Sequence, residues 1–211
     1  MFTLRRALLL ALAALSAAML NSCGSMHLAK DSRNKMIVSV KDQRLLLVTD
    51  GKPVKSYRVS TSKFGVGDIP GTNRTPLGRM EVAKKIGGGH PQGTVFKSRR
   101  PTGERLKPDA PGRDPIVSRI LWLRGKEPHN RNAFRRYIYI HGTPERRNLG
   151  RPASFGCIRM DCREVIDLYN RVGYGAEVYV IRGSLRDTEP GKQWFTANGN
   201  AILRITRNWQ S

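Results

Sequence analysis

Ser154-Phe155-Gly156-Cys157-Ile158-Arg159-Met160, followed at once by Asp161-Cys162-Arg163-Glu164, is the stretch around which this chain of 211 residues is organised. Asp161 and Glu164 have the spacing of a capping box, with Asp161 at the cap. Val165, Ile166, Leu168, Tyr169 and Val172 then recur at helical intervals, and Gly173 ends the helix. On the upstream side, Arg136 to Ile140 reads as a strand that delivers His141 at its end, a rigid place to present a base. Cys157 therefore sits in a glycine-punctuated stretch between a strand end and a capped helix. Gly156 lets the backbone turn sharply before the sulfur, and Arg159 brings positive charge two residues after it. A thiol attacks as its thiolate, so it needs an imidazole in reach and an electropositive, partly open setting. Taken singly, a cysteine is more often buried filler than nucleophile. The conjunction with His141, sixteen residues earlier, makes Cys157 a candidate nucleophile and His141 its candidate base.

The rest of the chain reads as mainly β. Met36–Val40, Arg44–Val48 and Val54–Ser60 form three strands of an antiparallel meander, turning at Lys41-Asp42-Gln43 and at Asp50-Gly51. Lys63 to Arg74 is a loop containing Pro70-Gly71, and Thr75-Pro76-Leu77-Gly78-Arg79-Met80-Glu81-Val82 returns to strand character. Residues 87–114 carry Gly87-Gly88-Gly89 and prolines 91, 101, 108 and 111, and show no regular pattern. A loop of that length is usually functional or mobile, so it is expected to be a flap or wall near the site. The triple glycine lacks the strand, Lys-Ser pair and helix that would frame a phosphate site. Arg119–Arg124 and Ala176–Ile181 read as further strands. Trp194 to Ile205 reads as a hairpin turning at Asn198-Gly199. The expected fold is mainly β, with one clear helix after Cys157 and no internal repeat.

The N-terminus reads as an export signal. Arg5 and Arg6 precede an unbroken small and apolar run, Ala7 to Leu20, which is too short to span a bilayer as a helix. Leu20-Asn21-Ser22-Cys23-Gly24 resembles a bacterial lipobox, in which Cys23 would carry lipid; ordinary signal cleavage nearby is the plainer reading. Gly24 after that cysteine implies, by the same resemblance, the outer membrane. The expected organisation is signal peptide 1–22, lipidated tether 23–35, catalytic domain 36–182 and hairpin extension 183–211. With 38 Lys and Arg against 16 Asp and Glu the chain carries +22, or +20 without Arg5 and Arg6. Such a surface attracts polyanions. The sequence shows no nucleic-acid recognition pattern, and in an envelope the anionic polymer at hand is the cell wall with its free carboxylates. A bridge between Cys157 and Cys162 would close a very short loop and silence the nucleophile, and neither cysteine has structural zinc spacing.

His141-Gly142-Thr143, then Leu149-Gly150, then Ser154-Phe155-Gly156-Cys157-Ile158-Arg159-Met160 resembles the signature of the L,D-transpeptidase (YkuD-type) catalytic domain. The opening meander, Thr75-Pro76-Leu77-Gly78 and the strand near Val178 resemble that family too, so the likeness covers Met36 to about Arg182. It implies a β-sandwich or barrel of mostly antiparallel strands. It also implies a cysteine acyltransferase acting on peptidoglycan stem peptides without metal or nucleotide cofactor. Together with the lipobox-like N-terminus and the absence of recognition motifs, the expectation is a periplasmic, monomeric lipoprotein that binds membrane through its lipid and binds no nucleic acid. Cys157 would be nucleophile, His141 base, Gly142 the carbonyl that orients His141, and Gly156 part of the oxyanion hole. Arg159, Ser154 and Thr143 would contact substrate, Arg159 either through a carboxylate or as a structural ion pair. One position departs from the commoner family pattern: Phe155 stands where a histidine often does. Hydrolysis of the same stems, a thiol amidase and a non-catalytic wall-binding lipoprotein are the alternatives. In such amidases the cysteine usually precedes the histidine, the reverse of the order here.

Overall fold

The computed structural model describes residues 29–110, 112 and 114–207, with side chains described to residue 199. The signal segment and Cys23 lie outside the described residues. Ten strands are present: β1 (Asn34–Ser39), β2 (Arg44–Thr49), β3 (Lys52–Ser60), β4 (Gly78–Ile86), β5 (Thr94–Lys97), β6 (Arg100–Arg105), β7 (Ile116–Gly125), β8 (Tyr139–Thr143), β9 (Ile158–Asp161) and β10 (Glu177–Ile181). Two α-helices, α1 (Cys162–Arg171) and α2 (Glu189–Arg207), and three single-turn 3-10 helices complete the regular structure of the described residues.

The strand order β4-β10-β1-β2-β3-β9-β8-β7 closes on itself because β4 also pairs with β7, from Met80↔Gly125 to Ile86↔Ile120. The result is an eight-stranded barrel, antiparallel except for β1 with β10 and β8 with β9. The expected meander is present, and its second turn has Asp50 and Gly51 at φ 50° and 79°, the paired positive values of a type I′ hairpin.

Successive strand residues point to opposite faces. Met36, Val38, Leu45, Leu47, Met80, Leu121, Leu123, Ile140, Ile158 and Met160 fill the barrel core, joined by Val165, Leu168 and Val172 from α1 and its C-cap. The intervening Ile37, Leu46 and Val48 lie on the outer face and pack with Leu185, Trp194 and Phe195. This is why β1 and β2 read as continuous apolar runs: both faces are covered.

The tail differs from the expected hairpin. Residues 189–207 form α2, in which Asn198 Nδ2 donates to Trp194 O, four residues back, at 2.9 Å. Asn-Gly favours a turn only when two strands can pair across it. Here Trp194 and Phe195 find the exposed apolar face of β1 and β2 instead, and their burial outweighs the local preference. Residues 87–114 likewise hold a short hairpin, β5–β6, that the sequence concealed because every residue of β6 is exposed and shows no apolar alternation. β5 hangs from the start of β7 through Val95↔Val117 and Phe96↔Ile116.

α1 follows expectation. Asp161 accepts from the backbone N–H of Arg163 at 2.8 Å and of Glu164 at 3.4 Å, a cap worth about 1 kcal/mol. The helix ends at Arg171, before Gly173.

Candidate functional site

β8 begins later than the sequence suggests. Tyr137, expected in mid-strand, has φ 57°, a left-handed conformation that costs a bulky residue roughly 1–3 kcal/mol and interrupts the extended chain. The strand therefore starts at Tyr139 and runs through His141 to Thr143. The motif after Gly156 is itself a strand: β9 lies parallel to β8, with Ile140↔Ile158, His141↔Arg159 and Gly142↔Met160 paired.

This register decides which side chains meet. Ile140, Ile158 and Met160 point into the core, so Tyr139, His141, Cys157 and Arg159 project from the opposite face. Cys157 packs there with Phe96, Ile120, Trp122 and Tyr139. Trp122 is stacked on Phe134 at 4.2 Å between ring centroids and meets Tyr139 edge-on at 5.5 Å. The thiol lies 3.3 Å from the Tyr137 carbonyl, so the strained residue presents its backbone directly to the sulfur.

Electrostatically the site departs from a preformed thiolate. Burial pushes the Cys157 thiol up to about 11, against the opposing pull of a backbone hydrogen bond from Tyr139 and of the Arg159 and Arg136 charges. Burial likewise lowers the His141 imidazole below its usual 6.5; the Gly142 carbonyl and Asp114 oppose this, and Arg159 adds to it. Burial thus favours the neutral form of both groups. His141 Nδ1 lies 2.9 Å from the Gly142 carbonyl. With the proton on Nδ1, that contact is a hydrogen bond and leaves Nε2 unprotonated, the form a general base needs.

The turn before the sulfur is held from three directions. Gly156 has φ 116°, where a side chain would be strained. Its carbonyl accepts from Thr75 Oγ1 at 2.9 Å, and Thr75 Oγ1 in turn accepts from the Ser62 amide at 3.0 Å. Ser154 Oγ donates to the Cys157 carbonyl at 2.5 Å and accepts from the Gly156 amide at 3.2 Å. Arg136 ties down the 61–76 loop that carries Thr75, donating to Asp68 Oδ1 at 2.9 Å, Gly67 O at 3.0 Å and Arg74 O at 2.7 Å.

Three residues expected to touch substrate are instead committed internally. Arg159 is only 4% exposed. Its guanidinium is paired with Asp114, donates to Ala153 O and lies 3.5 Å from Glu145. The Thr143 hydroxyl, fully buried, donates to the same Asp114 carboxylate. Ser154 is buried and saturated by the bonds just described. They brace the site and the root of the 87–114 segment; the sequence could not show this, because Asp114 is far from all three in the chain. Gly142 packs where any side chain would meet Val117 O and Val165. Phe155 is 63% exposed; its ring lies 5.5 Å from Phe64, with Lys63 Nζ 4.4 Å above it, which joins the motif to the 61–76 loop.

Sequence reasoning gave no role to Thr75, Tyr137, Arg136 or Asp114. Thr75 alone carried a signal, through the Thr75-Pro76-Leu77-Gly78 resemblance. Cys162 is buried, unbridged and donates its thiol to Thr143 O at 3.4 Å. Among the described residues no group of three His, Cys, Asp or Glu side chains is placed to hold a metal.

The structure thus places a thiol and an imidazole on the same face of the parallel β8–β9 pair. The chain matches the L,D-transpeptidase catalytic domain (YkuD) over residues 33–180, well over half its length, and belongs to that family. No curated protein matches it. Among solved structures it is similar to an L,D-transpeptidase from Mycobacterium smegmatis, at 16% identity and TM-score 0.47, covering 71% of this chain and 58% of that one. L,D-transpeptidase 3 from Mycobacterium tuberculosis gives 18% and 0.47, covering 71% and 61%. A Xylanimonas cellulosilytica L,D-transpeptidase gives 19% and 0.46, covering 79% and 68%. The chain thus spans about three-fifths of the length of the mycobacterial structures.

Proposed function

We propose that this chain is a peptidoglycan L,D-transpeptidase in which Cys157 cleaves the amide between the third-position diamino acid of a tetrapeptide stem and its terminal D-alanine. The observation that carries this reading is the parallel β8–β9 register, which sets Cys157 and His141 on one face beside each other's strands. Burial favours the neutral form of both groups, so His141 Nε2 takes the thiol proton as the sulfur attacks. The C–S bond forms, the C–N bond breaks, and the proton passes to the departing D-alanine amine. The backbone amide of Cys157 supplies a donor to the developing oxyanion, while that of Gly156 is held by Ser154 Oγ and shapes the turn. An amine of a second stem or of a protein then attacks the thioester, returns its proton by way of His141 and frees the thiol.

The same reading places the chain at the cell envelope, tethered through lipid on Cys23 at the periplasmic face of the outer membrane, where its basic surface meets the carboxylates of the wall. Cys23→Ala is expected to move the protein from the membrane to the soluble fraction; continued membrane association would remove the anchor from this account.

The test of activity is incubation of the purified protein with tetrapeptide muropeptides and an amine acceptor. D-alanine release together with a cross-linked product supports transfer. Release with no product other than the trimmed stem identifies hydrolysis. Equal release by Cys157→Ala contradicts the mechanism.

A further inference from the structure

The β5–β6 hairpin turns at Ser98-Arg99, both in the left-handed region at φ 49° and 66°. These are the values a two-residue type I′ turn requires, and Asn-Gly meets them at the least cost. A hairpin shaped for stability alone would not place arginine there. What Arg99 gains is position. Its guanidinium carbon lies 5.0 Å from the Tyr137 ring centroid and 5.3 Å from that of Trp122. It also acts on the Tyr139 hydroxyl, which burial pushes up and Arg99 pulls back.

These aromatic residues wall the nucleophile. The Tyr137 carbonyl is 3.3 Å from Cys157 Sγ, and Trp122 and Tyr139 belong to the cluster against which Cys157 packs. Arg99 is thus held over rings that neighbour the thiol, with no carboxylate among the described residues paired to it. The two cations that act on the thiol are both engaged, Arg159 with Asp114 and Glu145 and Arg136 with Asp68. Contact through a ring face uses a guanidinium's charge, and the hydrogen bond to the Tyr139 hydroxyl uses one N–H; the other N–H donors remain in the guanidinium plane for a planar acceptor.

We infer that Arg99 receives the free carboxylate of the acyl donor, so that the β5–β6 hairpin selects peptides ending in a carboxylate one residue beyond the amide that Cys157 attacks. This rests on the proposed function for the identity of the peptide, but not for the preference for a carboxylate beside the thiol. Arg159, the residue the sequence offered for that task, is buried and engaged, whereas Arg99 is half-buried and carries its charge at the hairpin tip.

The experiment compares wild type, Arg99→Gln and the exposed neighbour Arg100→Gln as the full chain. Alkylation of Cys157 by iodoacetate and by neutral iodoacetamide is followed on its peptide by mass spectrometry. In Arg99→Gln the iodoacetate rate is expected to fall about tenfold, the scale of one charge-assisted hydrogen bond. The iodoacetamide rate should stay within about twofold, which also reports an intact fold. Arg100→Gln should leave the ratio unchanged. A ratio unmoved in Arg99→Gln, or lowered equally by both variants, overturns the inference. With stem substrates, Arg99→Gln should raise KM about tenfold for the free-acid tetrapeptide and leave the C-terminally amidated one unchanged; equal loss on both also overturns it. If the wild type turns over no stem, the proposed function fails, and the alkylation ratio still decides the role of Arg99.

Discussion

The neutral resting state of Cys157 makes a quantitative prediction about its reactivity. With the thiol at about 11, about one molecule in ten thousand carries a thiolate at pH 7, roughly a hundredfold fewer than for a thiol at 9. A more basic thiolate is intrinsically more nucleophilic, with a Brønsted slope near 0.4–0.5, which returns roughly a factor of eight over two pH units. Cys157 should therefore react with iodoacetamide about tenfold more slowly than free cysteine at pH 7. Its rate should climb about tenfold per pH unit through pH 10 and bend only near 11. The same shift links to stability. The unfolded chain loses this proton near pH 9 and the folded chain only near 11, so the contribution is fully present below pH 9 and declines up to 11. Cys157→Ala should flatten urea midpoints across that window. A reactivity plateau below pH 8 would mean a resting thiolate–imidazolium pair and would refute the reasoning.

Thr75→Val keeps the shape of the side chain but strips the Gly156 carbonyl and the buried Ser62 amide of their partner. It should cost about 2–4 kcal/mol in urea unfolding, from one to two unsatisfied groups, and slow acylation; a loss below about 0.5 kcal/mol would show that the turn is held otherwise. Asp114→Ala removes the principal partner of a buried arginine and should cost about 3 kcal/mol. Because the pair also fastens the root of the hairpin segment, the variant should be cleaved faster by protease within residues 100–114, and unchanged cleavage would detach the hairpin from this network. Burial lowers the His141 imidazole, so on acidification the unfolded chain takes up its proton first, near pH 6.5. Its contribution is present above that pH and lost on acidification, and His141→Gln should reduce the acid-side slope of stability.

What could be read from the sequence depended on how local the determining physics was. The cap at Asp161 and the apolar spacing of α1 are local, as is the Asp50-Gly51 turn, and the structure has each of them. β9 was missed because four residues are too few to show a period, and only its pairing with β8 makes it a strand. The β5–β6 hairpin has an exposed second strand and hence no pattern to detect. The C-terminal helix was hidden by a real turn signal, overruled by the apolar face of β1 and β2 that Trp194 and Phe195 cover. Within the site, chemistry and spacing singled out Cys157 and His141 as candidates, and the structure places them on one face. The commitments of Arg159, Thr143 and Ser154 were not, since each is fixed by partners that approach only in the closed barrel.

The central claim is that the sulfur of Cys157 becomes acylated by a stem peptide. Rapid quench of the protein with a tetrapeptide in the absence of acceptor, followed by intact mass and peptide mapping, measures it directly. The account predicts an adduct equal in mass to the stem without its D-alanine, on Cys157 alone, absent from Cys157→Ala and formed at least a hundredfold more slowly in His141→Gln. Turnover of the stem with no adduct at Cys157, or an adduct that survives Cys157→Ala, would contradict it.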